Sequence, residues 1–152
     1  MKKLFLTLIP AALLSAADPS GYHHFTGQQL NEKEQQLHAK MQNGLASEVL
    51  ANYGNHQIMT IHREATGQAE FHEKQADVIV VRKGEGTLMV GGKVINGKTT
   101  APNEIRGEGI EGGEAHPLKA GDVVHVPPRT PHQVVLKPGQ KIDYVALKVD
   151  AQ

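Results

Sequence analysis

The stretch GDVVHVPPRTPHQVV, Gly121 to Val135, decides how this chain is read. Gly121 and Asp122 open it as a tight turn, and Val123, Val124 and Val126 favour a strand. Pro127, Pro128 and Pro131 forbid helix and stiffen the connection that follows. The turn therefore delivers His132 in a fixed place at the start of the next strand, which makes it a candidate ligand. Its expected partners lie in AEFHEKQADVIVVRKGEG, Ala69 to Gly86. Side chains alternate faces along a strand, so Glu70 and His72 share one face, and Asp77 opens the strand after them.

Outward from these two segments the pattern is one of short strands and turns. Strands are expected near Ser47 to Asn52, His56 to Arg63, Gln68 to His72, Val78 to Arg82, Thr87 to Val90, Asp122 to Val126, Gln133 to Leu136 and Ile142 to Val149. Gly54, Gly67, Gly84, Gly86, the Gly91 and Gly92 pair, and Pro138 with Gly139 separate them. Eight such strands suggest an all-β jelly-roll barrel. Between the two segments, Gly91 to Lys119 is longer than a hairpin needs and reads as a loop, a lid or a partner surface. If it covers the barrel mouth, Arg106 is the residue suited to an anionic substrate group; the alternative is that Arg106 pairs with Glu104 or Glu108 and only organises the loop. Before the strands, Thr26 to about Gln42 reads as a helix, with Thr26 as N-cap, Gly44 as stop, and a thin apolar stripe of Leu30, Leu37 and Met41. Such a helix is expected on the outside of the barrel or against a second subunit.

At these residues the chain resembles the cupin superfamily. The first cupin motif places two histidines one residue apart, then a glutamate and a glycine; Glu70, His72, Asp77 and Gly84 hold that frame. The second places glycine, proline, glycine and histidine; Gly121, Pro127, Arg129 and His132 hold it. The match spans about Ile58 to Val149. Glu70 stands in place of the first histidine, Asp77 in place of glutamate, and Arg129 in place of the second glycine. The resemblance implies a β-barrel, here preceded by the helix read above, and a divalent metal (Fe, Mn, Zn or Ni) held by His72, His132 and Asp77. Glu70 is then either a fourth ligand or a catalytic base whose pKa is raised by burial and by Asp77. The alternative is a metal-free hydrogen-bonded network of the same groups. A homodimer is implied by the resemblance alone. Of the other histidines, His62 is a possible extra ligand, substrate contact or proton carrier if its strand face is the inner one; a satisfied core histidine is the commoner outcome.

At the N-terminus, Lys2 and Lys3 precede the apolar run LFLTLIPAALL and then SAAD, the layout of a secretory signal peptide cut after Ala17. Pro10 interrupts a run too short to span a bilayer. The organisation read from the 152 residues is thus a signal peptide at 1–17, a helical segment at 18–45 and a barrel at 46–152, exported to a periplasmic or extracellular destination. The full chain carries 16 basic and 16 acidic residues, so neither nucleic acid nor an anionic membrane surface is an indicated partner. It has no cysteine, which excludes disulfides and thiolate metal sites, and no nucleophile elbow or phosphate loop. Two functions remain open. One is a metal-dependent oxygenase, isomerase or lyase acting on a small molecule; the other is a non-catalytic barrel that captures a sugar or small organic acid.

Overall fold

The computed structural model describes residues 18–151, so the expected signal peptide at 1–17 lies outside the described residues. Among the described residues one helix, α1 (Gly27–Lys40), is followed by twelve strands: β1 (Leu45–Asn52), β2 (His56–Arg63), β3 (Ala69–His72), β4 (Gln75–Val90), β5 (Lys93–Ile95), β6 (Lys98–Ala101), β7 (Glu104–Gly107), β8 (Gly109–Glu111), β9 (Glu114–Lys119), β10 (Val123–Val126), β11 (His132–Val135) and β12 (Ile142–Asp150). All pairings are antiparallel. The expected jelly-roll architecture is present.

The barrel is organised by β4. Its first half pairs with β12 and β10, in a sheet continued by β2 and β1; its second half pairs with β11 and β9, in a sheet continued by β3, β7 and β6. Two separate strands, Val78 to Arg82 and Thr87 to Val90, were expected here with Gly84 and Gly86 as separators. The glycines instead bend one continuous strand from sheet to sheet. Gly84 has φ +74°, and a Cβ there would run into the Lys141 carbonyl, so the bend needs glycine at this close approach. Between the sheets sits one core: Ile61, Ile79, Val81, Leu88, Val126, Val134, Ile142 and Tyr144. Leu88 and Ile142 are wholly buried, and truncating either to alanine is expected to cost about 2–5 kcal/mol.

The segment from Gly91 to Lys119, read from sequence as a loop, is mostly strand. β5 pairs with β8 as a small separate ribbon, β6 and β7 form a hairpin on the edge of β3, and β9 lies along β4. These strands are only three to six residues long, and Asn96 and Asn103 turn the chain with φ +49° and +63°. Such short runs carry too little alternation to be separated from turns by pattern.

Helix α1 begins at a capping box: Gln29 N donates to Thr26 Oγ1 at 3.2 Å, and Thr26 N donates to Gln29 Oε1 at 2.9 Å. It packs on the outer face of β1 and β2. The apolar stripe is reinforced by a polar anchor that the pattern did not flag. Glu34 is 1 % exposed and accepts from Arg82 Nε at 2.6 Å, with Lys83 Nζ 2.7 Å away. Leu37 is buried beside it. No helix among the described residues is long and apolar enough to cross a membrane.

Candidate metal centre

Antiparallel pairing brings the candidate ligands together from three strands. β3 presents Glu70 and His72 on one face, β11 pairs His132 directly opposite Glu70, and β4 carries Asp77 across the barrel. His132 enters its strand from the proline turn, where Arg129 takes φ +62° at the position the motif gives to glycine. Arg129 N donates to His72 O at 2.7 Å, so the turn that delivers one histidine is pinned to the strand that delivers the other. This strained residue keeps the turn, as expected of a change that bears on backbone rather than chemistry.

Ligand atoms of Glu70, His72, Asp77 and His132 all lie within 4.8 Å of one another. His72 Nε2 is 3.2 Å from Glu70 Oε2 and 3.5 Å from Asp77 Oδ2, and His132 Nε2 is 3.0 Å from Asp77 Oδ2. Both imidazoles therefore aim Nε2 at the carboxylates. The other nitrogen of His132 donates to Thr130 O at 3.0 Å, while His72 Nδ1 lies 3.7 Å from Glu104 Oε2. Backing Nδ1 with an oxygen fixes a ring with Nε2 free to ligate, as in carboxylate or carbonyl supported metal histidines. The donor set of two imidazoles and two carboxylates suits a first-row divalent ion.

Lys148 holds the focus of these donors. Its Nζ lies 3.1 and 3.2 Å from the Asp77 oxygens, 3.6 Å from Glu70 Oε2 and 3.0 Å from His72 Nε2. Sequence reasoning did not single it out, although the alternation of β12 could have done so: Tyr144, Ala146 and Lys148 share the face that lines the barrel cavity. The 3.0 Å approach to His72 is attractive only when one of the two nitrogens gives up its proton, so His72 and Lys148 compete for the same carboxylates.

The electrostatics follow from this crowding. Burial alone would raise the Glu70 pKa, but the His72 hydrogen bond and the charges of Lys148, Arg106 and His132 outweigh it and bring it down to about 2. The raised pKa expected for Glu70 as a base is therefore overturned: it is a firmly ionised carboxylate. Burial likewise opposes ionisation of Asp77, and hydrogen bonds from His132 and His72 with the Lys148 charge overcome it, leaving Asp77 well below the carboxylate range. Burial disfavours charge on His72, yet its bonds to Asp77 and Glu70 push it up to about 8.

Arg106 sits on a strand, not a lid. β7 pairs it opposite Glu70, where Nη1 donates to Glu70 Oε1 at 2.9 Å and Nε to Glu104 Oε1 at 2.8 Å. The pairing with Glu104 is one of the two readings given by sequence, and the same guanidinium also lines the cavity of the other. The cavity beside the cluster has a volume of about 120 Å³, room for several waters or a ligand of a few heavy atoms. Met59, Ile61, Val134 and Ala146 form apolar wall, and Arg63, Arg106 and Lys148 line it with charge. Arg63 is buried, donates from Nε to Tyr144 Oη at 2.9 Å, and finds space because Gly67 has no Cβ to meet its guanidinium. His62 does not line this cavity; it lies on the other face of β2, under α1.

No family model matches the sequence, and no curated protein matches it. Solved structures do match its fold. A protein with a double-stranded β-helix domain from Klebsiella pneumoniae superposes with TM-score 0.55 at 15% identity, covering 74% of this chain and 82% of that one. A cupin-like protein from Thermotoga maritima gives TM-score 0.51 at 19% identity, covering 69% and 68%. The polyketide cyclase RemF from Streptomyces resistomycificus gives TM-score 0.51 at 15% identity, covering 70% and 66%. The chain has the double-stranded β-helix fold of the cupins.

Proposed function

We propose that this cupin-fold chain is an exported metal-binding protein that acts as an oxygenase, isomerase or lyase on a small anionic compound. The observation that carries the reading is the convergence of His72, His132, Asp77 and Glu70, with both imidazoles aiming Nε2 at one point. These four residues would hold a divalent ion (Fe, Mn, Zn or Ni), which when bound supplies Lewis-acid or redox chemistry. Lys148 must then leave their focus, and its ammonium becomes a free cation at the cavity wall beside Arg63. That a polyketide cyclase has the same fold supports only the statement that the fold hosts enzymes.

Charge supports the anionic class. Glu70, Asp77 and Glu104 are balanced by Arg63, Arg106 and Lys148, and either a protonated His72 or a divalent ion then leaves the site positive. A carboxylate or similar group entering the cavity meets Arg63 and Lys148 between apolar walls, which orient it and exclude water. The role assigned to Glu70 is ligand and ion-pair partner of Arg106, since a carboxylate held at about 2 is a weak base.

A second reading is favoured by Lys148 itself. Its ammonium already neutralises Asp77 and Glu70, so the barrel would bind a small organic acid without metal or turnover. Elemental mass spectrometry on untagged protein, beside a His72→Ala, His132→Ala double variant, separates the two. Metal near stoichiometry in the wild type and lost in the variant supports the first; none after reconstitution with each of the four ions leaves the second. Export rests on the Lys2 to Ala17 sequence, and is tested by N-terminal sequencing of protein recovered outside the cytoplasm, which should begin at Asp18. The homodimer rests on resemblance to cupins; a concentration-independent monomer in sedimentation would overturn it.

A further inference from the structure

We propose a second divalent-metal site, formed by His38, His62 and Asp143, that fastens helix α1 to the outside of the barrel. The three residues come from α1, β2 and β12, and their ligand atoms converge within 4.8 Å. β2 and β12 pair His62 directly opposite Asp143, on the face away from the barrel cavity. On the other flank of His62 stands Ala46, whose small side chain leaves room for the His38 ring. His62 Nδ1 is 2.8 Å and His38 Nε2 is 3.2 Å from the same oxygen, Asp143 Oδ1, and the two rings lie 3.8 Å apart.

Several features mark this as a built site and not a chance cluster. His62 is wholly buried and Asp143 is 4 % exposed, so both are desolvated and fixed. The second nitrogen of His62, Nε2, meets Glu64 Oε1 at 3.2 Å, which orients Nδ1 toward the common point, the supporting role that carboxylates play behind metal histidines. His38 is partly exposed and provides the route by which an ion enters and a water completes the shell. Two imidazoles, one carboxylate and water make a tetrahedral set suited to Zn(II), and poor for Mg(II) or Ca(II). Bonds of about 2.0–2.1 Å set tetrahedral edges near 3.3–3.4 Å, so the two histidine nitrogens, at 2.8 and 3.2 Å from Asp143 Oδ1, need to move away from it by only about half an ångström or less. Unlike the barrel cluster, this one contains no lysine or arginine at its focus.

A Zn(II) ion here would tie the helix, otherwise anchored by Glu34 and Leu37, to β2 and β12. The test is zinc stoichiometry in the wild-type chain and in His38→Gln, a change at a half-exposed position that leaves the barrel site untouched. We expect the variant to bind one equivalent fewer, whatever the barrel binds. Glu64→Gln should keep the equivalent but weaken it roughly 10- to 100-fold. Amide hydrogen exchange provides an independent readout: zinc should slow exchange across α1 in the wild type and not in His38→Gln. Equal stoichiometry in wild type and variant, with no zinc-dependent protection of α1, would overturn the proposal.

Discussion

Two clusters in this molecule hold the same kinds of donor and differ in what neutralises them. Inside the barrel, Glu70, His72, Asp77 and His132 surround the ammonium of Lys148, with Arg106 behind Glu70. Outside it, His38 and His62 converge on one oxygen of Asp143. The comparison teaches that ligand spacing does not by itself define a metal site. A resident lysine makes the inner cluster a folded, charge-balanced unit before any ion arrives, so an ion must displace a cation to enter. The outer cluster has only one carboxylate at its focus and needs no such exchange, but it depends on a helix staying docked.

The largest effect is expected from Lys148→Met. In metal-free protein, leaving Asp77 and Glu70 without their ammonium should cost roughly 3 kcal/mol or more, read by denaturant unfolding under chelator. Adding metal should restore much of that loss, because the ion takes the place of the lysine. If the variant is as stable as wild type without metal, Lys148 does not hold the inner cluster together and the comparison fails.

The pH dependence of metal-free stability sharpens the same contrast. Glu70 is lowered from 4.5 to about 2, so its contribution is present above 4.5 and is lost as pH falls toward 2; this is worth about 3 kcal/mol. His72 is raised from 6.5 to about 8, so its contribution is complete below 6.5 and is lost as pH rises through 8; this is worth about 2 kcal/mol. Unfolding followed across pH should show a maximum between about 4.5 and 6.5, and His72→Gln should remove the decline on the alkaline side while making the acid side shallower, because the hydrogen bond that lowers Glu70 goes with it. A decline toward pH 8 that persists in the variant would contradict the assignment.

Smaller effects test the outer region. Glu34→Ala removes the buried carboxylate that Arg82 and Lys83 share, and should cost about 1–2 kcal/mol while loosening α1 and weakening zinc binding by His38. Thr26→Ala removes the cap and should cost about 1 kcal/mol, seen as faster hydrogen exchange in the first turn of α1 with the barrel unchanged.

What the sequence made legible was local and periodic. Glu70 and His72 follow from strand alternation, His132 from a turn that prolines make rigid and Asp77 from the strand it opens, so the four candidate positions could be read without coordinates. Lys148 shows what alternation alone leaves unassigned: its strand was visible, but which face of β12 looks inward is decided by pairing with β2 and β4. The bend in β4 was hidden because Gly84 and Gly86 punctuate in sequence yet continue the strand in space. Arg106 was read as part of a loop because β7 has four residues, and its meeting with Glu70 is a product of register. The outer cluster was beyond reach, since His38 and Asp143 are 105 residues apart and meet only when a helix docks on a sheet.

The most direct test of the account is calorimetric titration of Mn(II) and Zn(II) into chelator-treated protein and its Lys148→Met variant, both carrying His38→Gln so that only the barrel responds. The account requires one site per chain, lost with His72→Ala, and bound at least about tenfold more tightly once the competing ammonium is gone. Equal or weaker binding in the Lys148→Met protein would contradict the competition by Lys148, and no binding in either would contradict a metal centre at His72, Asp77, His132 and Glu70.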